Sequence, residues 1–277
     1  MAADPIIHRF PAVHGGAFVN AYLVEIASGV VAVDGLLTVS AAREMREGLD
    51  RLGKPLRAVL MTQSHPDHYA GLGEIVAGAD VPIFAPQGVI DTIRADDAAK
   101  DQIVAPMFGA DWPANRVFPN TPIRDGESVT FDEVKFTVID LGPSESPHDS
   151  PWFIGDDAKT VFLGDQMYDH RHSYLADGFY REWLANIELL RARFPEDAVF
   201  YIGHGGPVGR ETWDWQRGYI ELFVDAVANG DWSEPERAKA AVVGRMKEYE
   251  PSEELQFLME LSIEPVAAKL GLLSPAD

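Results

Sequence analysis

Thr62-Gln63-Ser64-His65-Pro66-Asp67-His68 places two imidazoles, a carboxylate and an amide close together, directly after the apolar run Val59-Leu60-Met61. A short buried strand that runs out into dense nitrogen and oxygen donors presents them on rigid backbone, as a hydrolytic metal centre requires.

Two further runs end in the same way. Thr160-Val161-Phe162-Leu163 leads into Gly164-Asp165, and Ala198-Val199-Phe200-Tyr201-Ile202 leads into Gly203-His204-Gly205-Gly206. Continuous apolar runs suit strands covered on both faces, and the glycines permit close backbone approach. Sites in open α/β sheets lie beyond the carboxyl ends of strands, so these three ends are expected to converge. Around them the chain alternates strands and helices. Residues 21–26 and 29–34 read as a hairpin about Ala27-Ser28-Gly29. Ser40 offers an N-cap to a helix ending near Leu52, with Gly53 as its stop. Val134, Phe136 and Val138 alternate as in a half-buried strand. Trp183, Leu184, Ile187, Leu190 and Phe194 form the core stripe of a helix. Residues 91–122 read as an irregular loop, with Met107, Phe108, Trp112 and Phe118 scattered as in the wall of a pocket.

Gln63-x-His65-x-Asp67-His68 resembles the His-x-His-x-Asp-His signature of the metallo-β-lactamase superfamily, with Gln63 where the first histidine stands. Asp165 matches the family aspartate that bridges both metals, and His204 the last histidine. The family's Gly-His-Thr-Pro-Gly-like loop corresponds to residues 141–150, where alignment puts Glu145 at the histidine position and His148 is the rival. The resemblance implies an α/β fold, a four-layered αββα sandwich over residues 1–210, with metal held between two β-sheets. Its implied ligand set is Gln63, His65, Asp67, His68, Glu145, Asp165 and His204. An amide is a weaker donor than imidazole and a carboxylate a harder one, so the first site would be weak and oxygen-rich. Asymmetric loading follows: one or two zinc ions, with iron or manganese suited to the first site.

Composition sets limits. The chain has 277 residues, enough for one large α/β domain. Its net charge of −21, from 23 basic against 44 acidic residues, repels phosphate backbones and argues against a nucleic-acid partner. Absence of cysteine excludes disulfides and thiolate ligands. No basic segment followed by an apolar core opens the chain and no run is long enough to span a bilayer, so a soluble cytoplasmic protein without membrane attachment is expected. Beyond His204, Trp213, Tyr219, Ile220, Phe223 and Val227, then Leu255, Leu258, Met259, Ile263 and Val266, recur at helical spacing. Residues 211–277 are therefore read as a helical extension packed on the same domain, which covers the site or makes a homodimer.

These residues support metal-assisted hydrolysis of an ester, lactone, thioester or amide of a small molecule, because a bound metal lowers the pKa of its water from 15.7 to about 7. Asp67 or Asp165 would take and return the proton, and His172 or Tyr168 would donate to a developing oxyanion. Two other readings stay open: an iron-dependent oxidoreductase, suggested by Glu145, and a non-catalytic binding member, suggested by Gln63. A glutathione thioesterase is less favoured, since Arg237, Lys239, Arg245 and Lys247 are scattered rather than clustered. His8 and His14 have no motif around them.

Overall fold

The computed structural model describes residues 4–12 and 17–273; His14 lies outside the described residues. Two sheets organise it. The first runs in spatial order β1 (Ile6–Pro11), β2 (Asn20–Ile26), β3 (Gly29–Val33), β4 (Leu56–Leu60), β5 (Ile83–Ala85) and β6 (Thr121–Pro122). The second runs β11 (Val199–His204), β10 (Thr160–Tyr168), β9 (Trp152–Ile154), β8 (Val134–Val138) and β7 (Ser128–Phe131). β2 and β3 form the expected hairpin, with Ile26 opposite Gly29. β3, β4 and β5 are mutually parallel, as are β10 and β11.

Three apolar clusters define four layers. Tyr22, Val24, Val31 and Leu60 from the first sheet meet Phe136, Val138, Trp152 and Phe162 from the second, so the sheets pack face to face. The first sheet's outer face is covered by α1 (Val39–Leu52), α3 (Leu72–Val76) and α4 (Gln87–Ile103), through Met45, Leu72, Ile75 and Ile90. The second sheet's outer face is covered by α6 (Tyr180–Arg193), α7 (Thr212–Ala228), α8 (Pro235–Tyr249) and α9 (Gln256–Lys269). The result is an αββα sandwich, with α2 (Pro66–Tyr69) opening the segment that carries Asp67 and His68. Among the described residues no helix is long and apolar enough to cross a membrane.

Two local readings are corrected. Residues 91–122 are not irregular throughout: α4 runs to Ile103 and α5 (Ala105–Phe108) follows. The helix buries only Val89, Ile90 and Ile93, so its sequence lacks a long apolar stripe. Its second half is held by Asp97 and Asp101, which bond Tyr69, Arg116 and Trp112, among the helix-forming Ala, Lys and Gln of residues 95–102. The cap of α1 is Thr38, whose Oγ1 accepts from Ala41 N at 3.4 Å. Ser40 instead donates its hydroxyl to Asp111 at 2.7 Å. Gly53 does close the helix, at φ 64.

Hydrogen bonds at the ends of the strands lock the two sheets together where the donors gather. Trp152 Nε1 and Ser150 Oγ donate to Met61 O at 2.8 and 2.9 Å, and Tyr22 Oη donates to Ile202 O at 2.6 Å. Gly164 sits at φ +59, and a Cβ there would lie 2.7 Å from Thr62 Oγ1. Both the backbone conformation and the contact disfavour a side chain. Gly164→Ala is expected to destabilise the fold by about 1–3 kcal/mol, measured as a lower urea midpoint with an unchanged slope.

Candidate metal centre

Asp67, His68, Asp165 and His204 come together: one ligand-type atom from each lies within 4.8 Å of all the others. His68 Nε2 and His204 Nε2 each stand 3.2 Å from Asp165 Oδ2. Asp67 Oδ2 is 3.8 Å from His68 Nε2 and 3.5 Å from His204 Nε2. The side chains come from α2, from within β10 at Asp165 and from the last residue of β11, and the parallel pairing sets those two strands side by side. Gly203 makes the approach possible, because a Cβ there would fall 1.8 Å from Asp165 Oδ1.

Two carboxylates and two imidazoles suit a divalent first-row ion, and Asp165 Oδ1 is buried without a hydrogen-bond partner. Electrostatics point the same way. Burial disfavours the charge on Asp165, yet His204 and His68 hold its carboxyl well below the usual range. His68 is buried too, but Asp165, Asp34 and Asp67 push it well up. For His204, burial is outweighed by Asp165 and Asp67, which raise it to about 9. A cation would replace those imidazole protons as the counter-charge.

The other expected ligands are arranged differently. His65 Nδ1 is within ion-pair distance of Glu145 Oε2, at 3.1 Å, and its Nε2 is 2.7 Å from Asp177 Oδ2. Glu145 Oε1 accepts from Tyr168 Oη at 3.0 Å, and that hydroxyl is 3.5 Å from Asp165 Oδ2, so a phenol stands between Glu145 and the four-residue group. Gln63 Nε2 lies 2.7 Å from His68 Nε2 while its Oε1 is buried and unpartnered. Burial pushes Glu145 up to about 7 against the opposing charge of His65. His148 is turned away and paired with Asp140 at 2.6 Å. Of the two loop candidates, Glu145 is therefore the one beside the cluster.

His172 is not brought to the site. It is buried, with Nδ1 2.9 Å from Tyr219 Oη of α7, because its chain segment docks under the C-terminal helices. Tyr168 is brought to the group, with its ring stacked on His204 at a centroid separation of 4.9 Å.

Two residues escaped the sequence reading. Asp34 receives Thr62 N and Oγ1 at 2.8 and 2.6 Å and lies 2.9 Å from His68 Nδ1, which leaves His68 Nε2 facing the cluster. A carboxylate held on the far nitrogen of a ligating imidazole fixes its orientation and basicity. Its signal was its place at the end of the β3 run, the fourth strand to finish in an acid or imidazole. Asp177, the partner of His65, lies in the stretch after Asp165 and carried no spacing cue.

The cluster opens into a cavity of about 380 Å³ lined by His65, Asp67, Glu145, Asp165, Tyr168 and His204, with apolar walls from α4, α5 and α9.

Residues 14–204 match the metallo-beta-lactamase superfamily, and the chain belongs to that family. The crystal structure of a beta-lactamase domain protein from Burkholderia ambifaria aligns with a TM-score of 0.68 and 20% identity, over 96% of this chain and 85% of the other. A hydroxyacylglutathione hydrolase of Bdellovibrio bacteriovorus is 26% identical over 54% of this chain and 49% of its own. A linear primary-alkylsulfatase of a Pseudomonas species is 23% identical over 68% of this chain and 42% of its own. The chain spans about half the length of the curated relatives it matches.

Elemental analysis of the purified protein is expected to find one tightly held divalent ion per chain, lost in Asp165→Ala, unchanged in His148→Ala and raised in Gln63→His. Asp34→Asn should weaken metal binding by about 10–100-fold. Below pH about 9 the His204 proton must leave before the nitrogen can bind metal. Apparent affinity should therefore rise with pH up to at least that value, about tenfold per unit for each proton displaced, in a titration against a competing chelator, since the raised His68 must also lose its proton.

Proposed function

We propose that this protein is a metal-dependent hydrolase that opens an ester, lactone, thioester or amide bond of a small molecule. The observation that carries this reading is the Asp67, His68, Asp165 and His204 group at the base of a cavity large enough for a small molecule. The hydrolase names of the matched relatives support it.

Asp67, His68, Asp165 and His204 would hold a divalent ion there, which would supply an acidified water and Lewis-acid polarisation of the scissile carbonyl, the chemistry the protein side chains lack. The chain's own residues do the rest. Asp34 holds His68 in one orientation. Tyr168 is buried, and with Asp165, Glu145 and Asp67 around it its hydroxyl keeps its proton far above neutral pH. It therefore serves as a donor to oxygen that gains negative charge. Glu145, near 7, exchanges a proton in the working range of a hydrolase. Asp67, lowered by His68 and His204 despite burial, stays ionised. A glutathione conjugate fits less well, because the cavity presents Asp67, Glu145 and Asp165 against Lys100 as its one lysine or arginine among the described lining residues.

The test is a panel of p-nitrophenyl esters, lactones and S-lactoylglutathione, assayed after loading with zinc, manganese or iron. Ester or lactone turnover is expected, at least about hundredfold lower in Asp165→Ala. Tyr168→Phe should lower kcat about tenfold or more with metal content retained, and His172→Gln should stay within about twofold of the parent, as befits a site outside the cavity. No turnover with any metal would refute the assignment.

A further inference from the structure

Among the described residues, eight large apolar side chains stand prominently exposed, and five of them border the single cavity above the metal centre: Phe18, Ile103, Met107, Phe257 and Leu261. Scattered exposed apolar residues need no explanation, but a contiguous group around a concave site does. Their exposure is large, 65% for Ile103, 63% for Met107 and 57% for Leu261, so the fold itself does not use them.

The helices that carry them show the same surplus. Lys100, Ile103, Val104 and Met107 follow the i, i+3, i+4, i+7 spacing of one helical face, and all four line the cavity. Ile93 lies on that same face, seven residues before Lys100, so the stripe that anchors α4 through Val89, Ile90 and Ile93 runs on past the core and over the cavity. α9 is apolar on two sides. Met259, Ile263 and Val266 are in the core, while Phe257, Leu258 and Leu261 line the cavity. Two helices from opposite outer layers thus contribute apolar faces that the core does not need, on the walls of one cavity whose base holds the donor cluster.

We infer that these walls seat an uncharged hydrocarbon tail attached to the bond that is cleaved, so that the substrate is an amphiphile with a long alkyl or acyl chain. This rests on the hydrolase reading for the head group; the tail rests on the walls. Continuity with the cluster selects a substrate part over a separate ligand. A volume of about 380 Å³ admits a chain and a small head but no folded partner. The net charge of −21 opposes attraction to an anionic bilayer. Apart from Lys100, the residues that α4, α5 and α9 give to the cavity carry no charge.

The experiment uses the full chain loaded with zinc, the parent and the double variant Ile103→Gln with Leu261→Gln. Both positions are exposed, so the variant is expected to keep its thermal midpoint. One series of p-nitrophenyl esters from acetate to decanoate puts the tail on the acyl side, and a series of acetate esters from ethyl to decyl puts it on the alcohol side, all below their aggregation limits. A methylene moved from water to an apolar wall favours binding by up to about fourfold. For at least one series kcat/KM should climb by roughly tenfold or more from four to ten carbons, and the variant should lose most of that gain while keeping the rate on the shortest ester. Calorimetry with decanoate and butanoate gives a readout independent of turnover: the parent should bind decanoate roughly tenfold more tightly, and the variant should show little difference. If no ester is cleaved but the decanoate preference persists and depends on the two side chains, the hydrolase reading fails and the tail site stands. Flat chain-length series together with equal binding of the two acids overturn the tail site. So does a variant that changes only the oligomeric state or the sedimentation with phosphatidylcholine vesicles, since the apolar faces would then serve a second copy or a lipid surface.

Discussion

The whole arrangement depends on a concentration of buried negative charge at the strand ends. Asp34, Glu145, Asp149 and Asp165 are all buried there, and among the described residues the ion-pair partners of Asp34, Glu145 and Asp165 are histidines rather than lysine or arginine. Removing an ion from water costs several kcal/mol even in a relaxed protein interior. The chain manages this in three ways. Imidazoles face Asp165, hydrogen bonds from Thr62 and Ser146 serve Asp34 and Asp149, and burial with the Glu145 charge pushes Asp149 well above the ordinary carboxylate range. Asp165 Oδ1 is still left without a hydrogen-bond partner, as are Glu145 Oε2 and Asp149 Oδ1. A cation resolves that imbalance better than any rearrangement of the side chains present.

The β-framework serves this one place. The sheets face each other through apolar side chains, but at their carboxyl ends the contacts become polar and specific: Trp152 and Ser150 on Met61 O, Tyr22 on Ile202 O, Ser150 N on Thr62 O at 2.6 Å. The glycines at 164 and 203 allow the backbones to close to a separation that no side chain would permit. Distances near 3.2 Å across Asp165 follow from main-chain geometry, which is stiffer than any loop.

What was legible in the sequence follows from period and from spacing. Hairpin, central strands and the stripe of α6 were read because buried faces impose periods of two and of 3.6 residues on the chain. The cluster is legible because its members follow directly on buried apolar runs, although β10 continues past Asp165 to Tyr168 and Asp67 and His68 sit on α2. α4 is not legible in this way: a helix with only three buried side chains has almost no apolar period, and the bonds of Asp97 and Asp101 to Tyr69, Arg116 and Trp112 that help to hold it have no periodic signal. His172 was misplaced by proximity in sequence to Asp165, whereas its conformation is decided by Tyr219, 47 residues away. Asp177 was missed for the converse reason. Nothing local marks it, and only the folded loop sets its carboxylate beside His65.

The attachment of α4 has a consequence of another kind. Because Val89, Ile90 and Ile93 hold this helix to the first sheet, Asp97 and Asp101 tie it to Tyr69, Arg116 and Trp112, and Ile103 and Met107 beyond them are solvent-exposed, substitutions at those two positions leave the sandwich and the donor cluster mechanically untouched. Selection can therefore retune what enters the cavity without renegotiating the chemistry below it, and lineages sharing this framework are free to diverge in diet while keeping the same hearth.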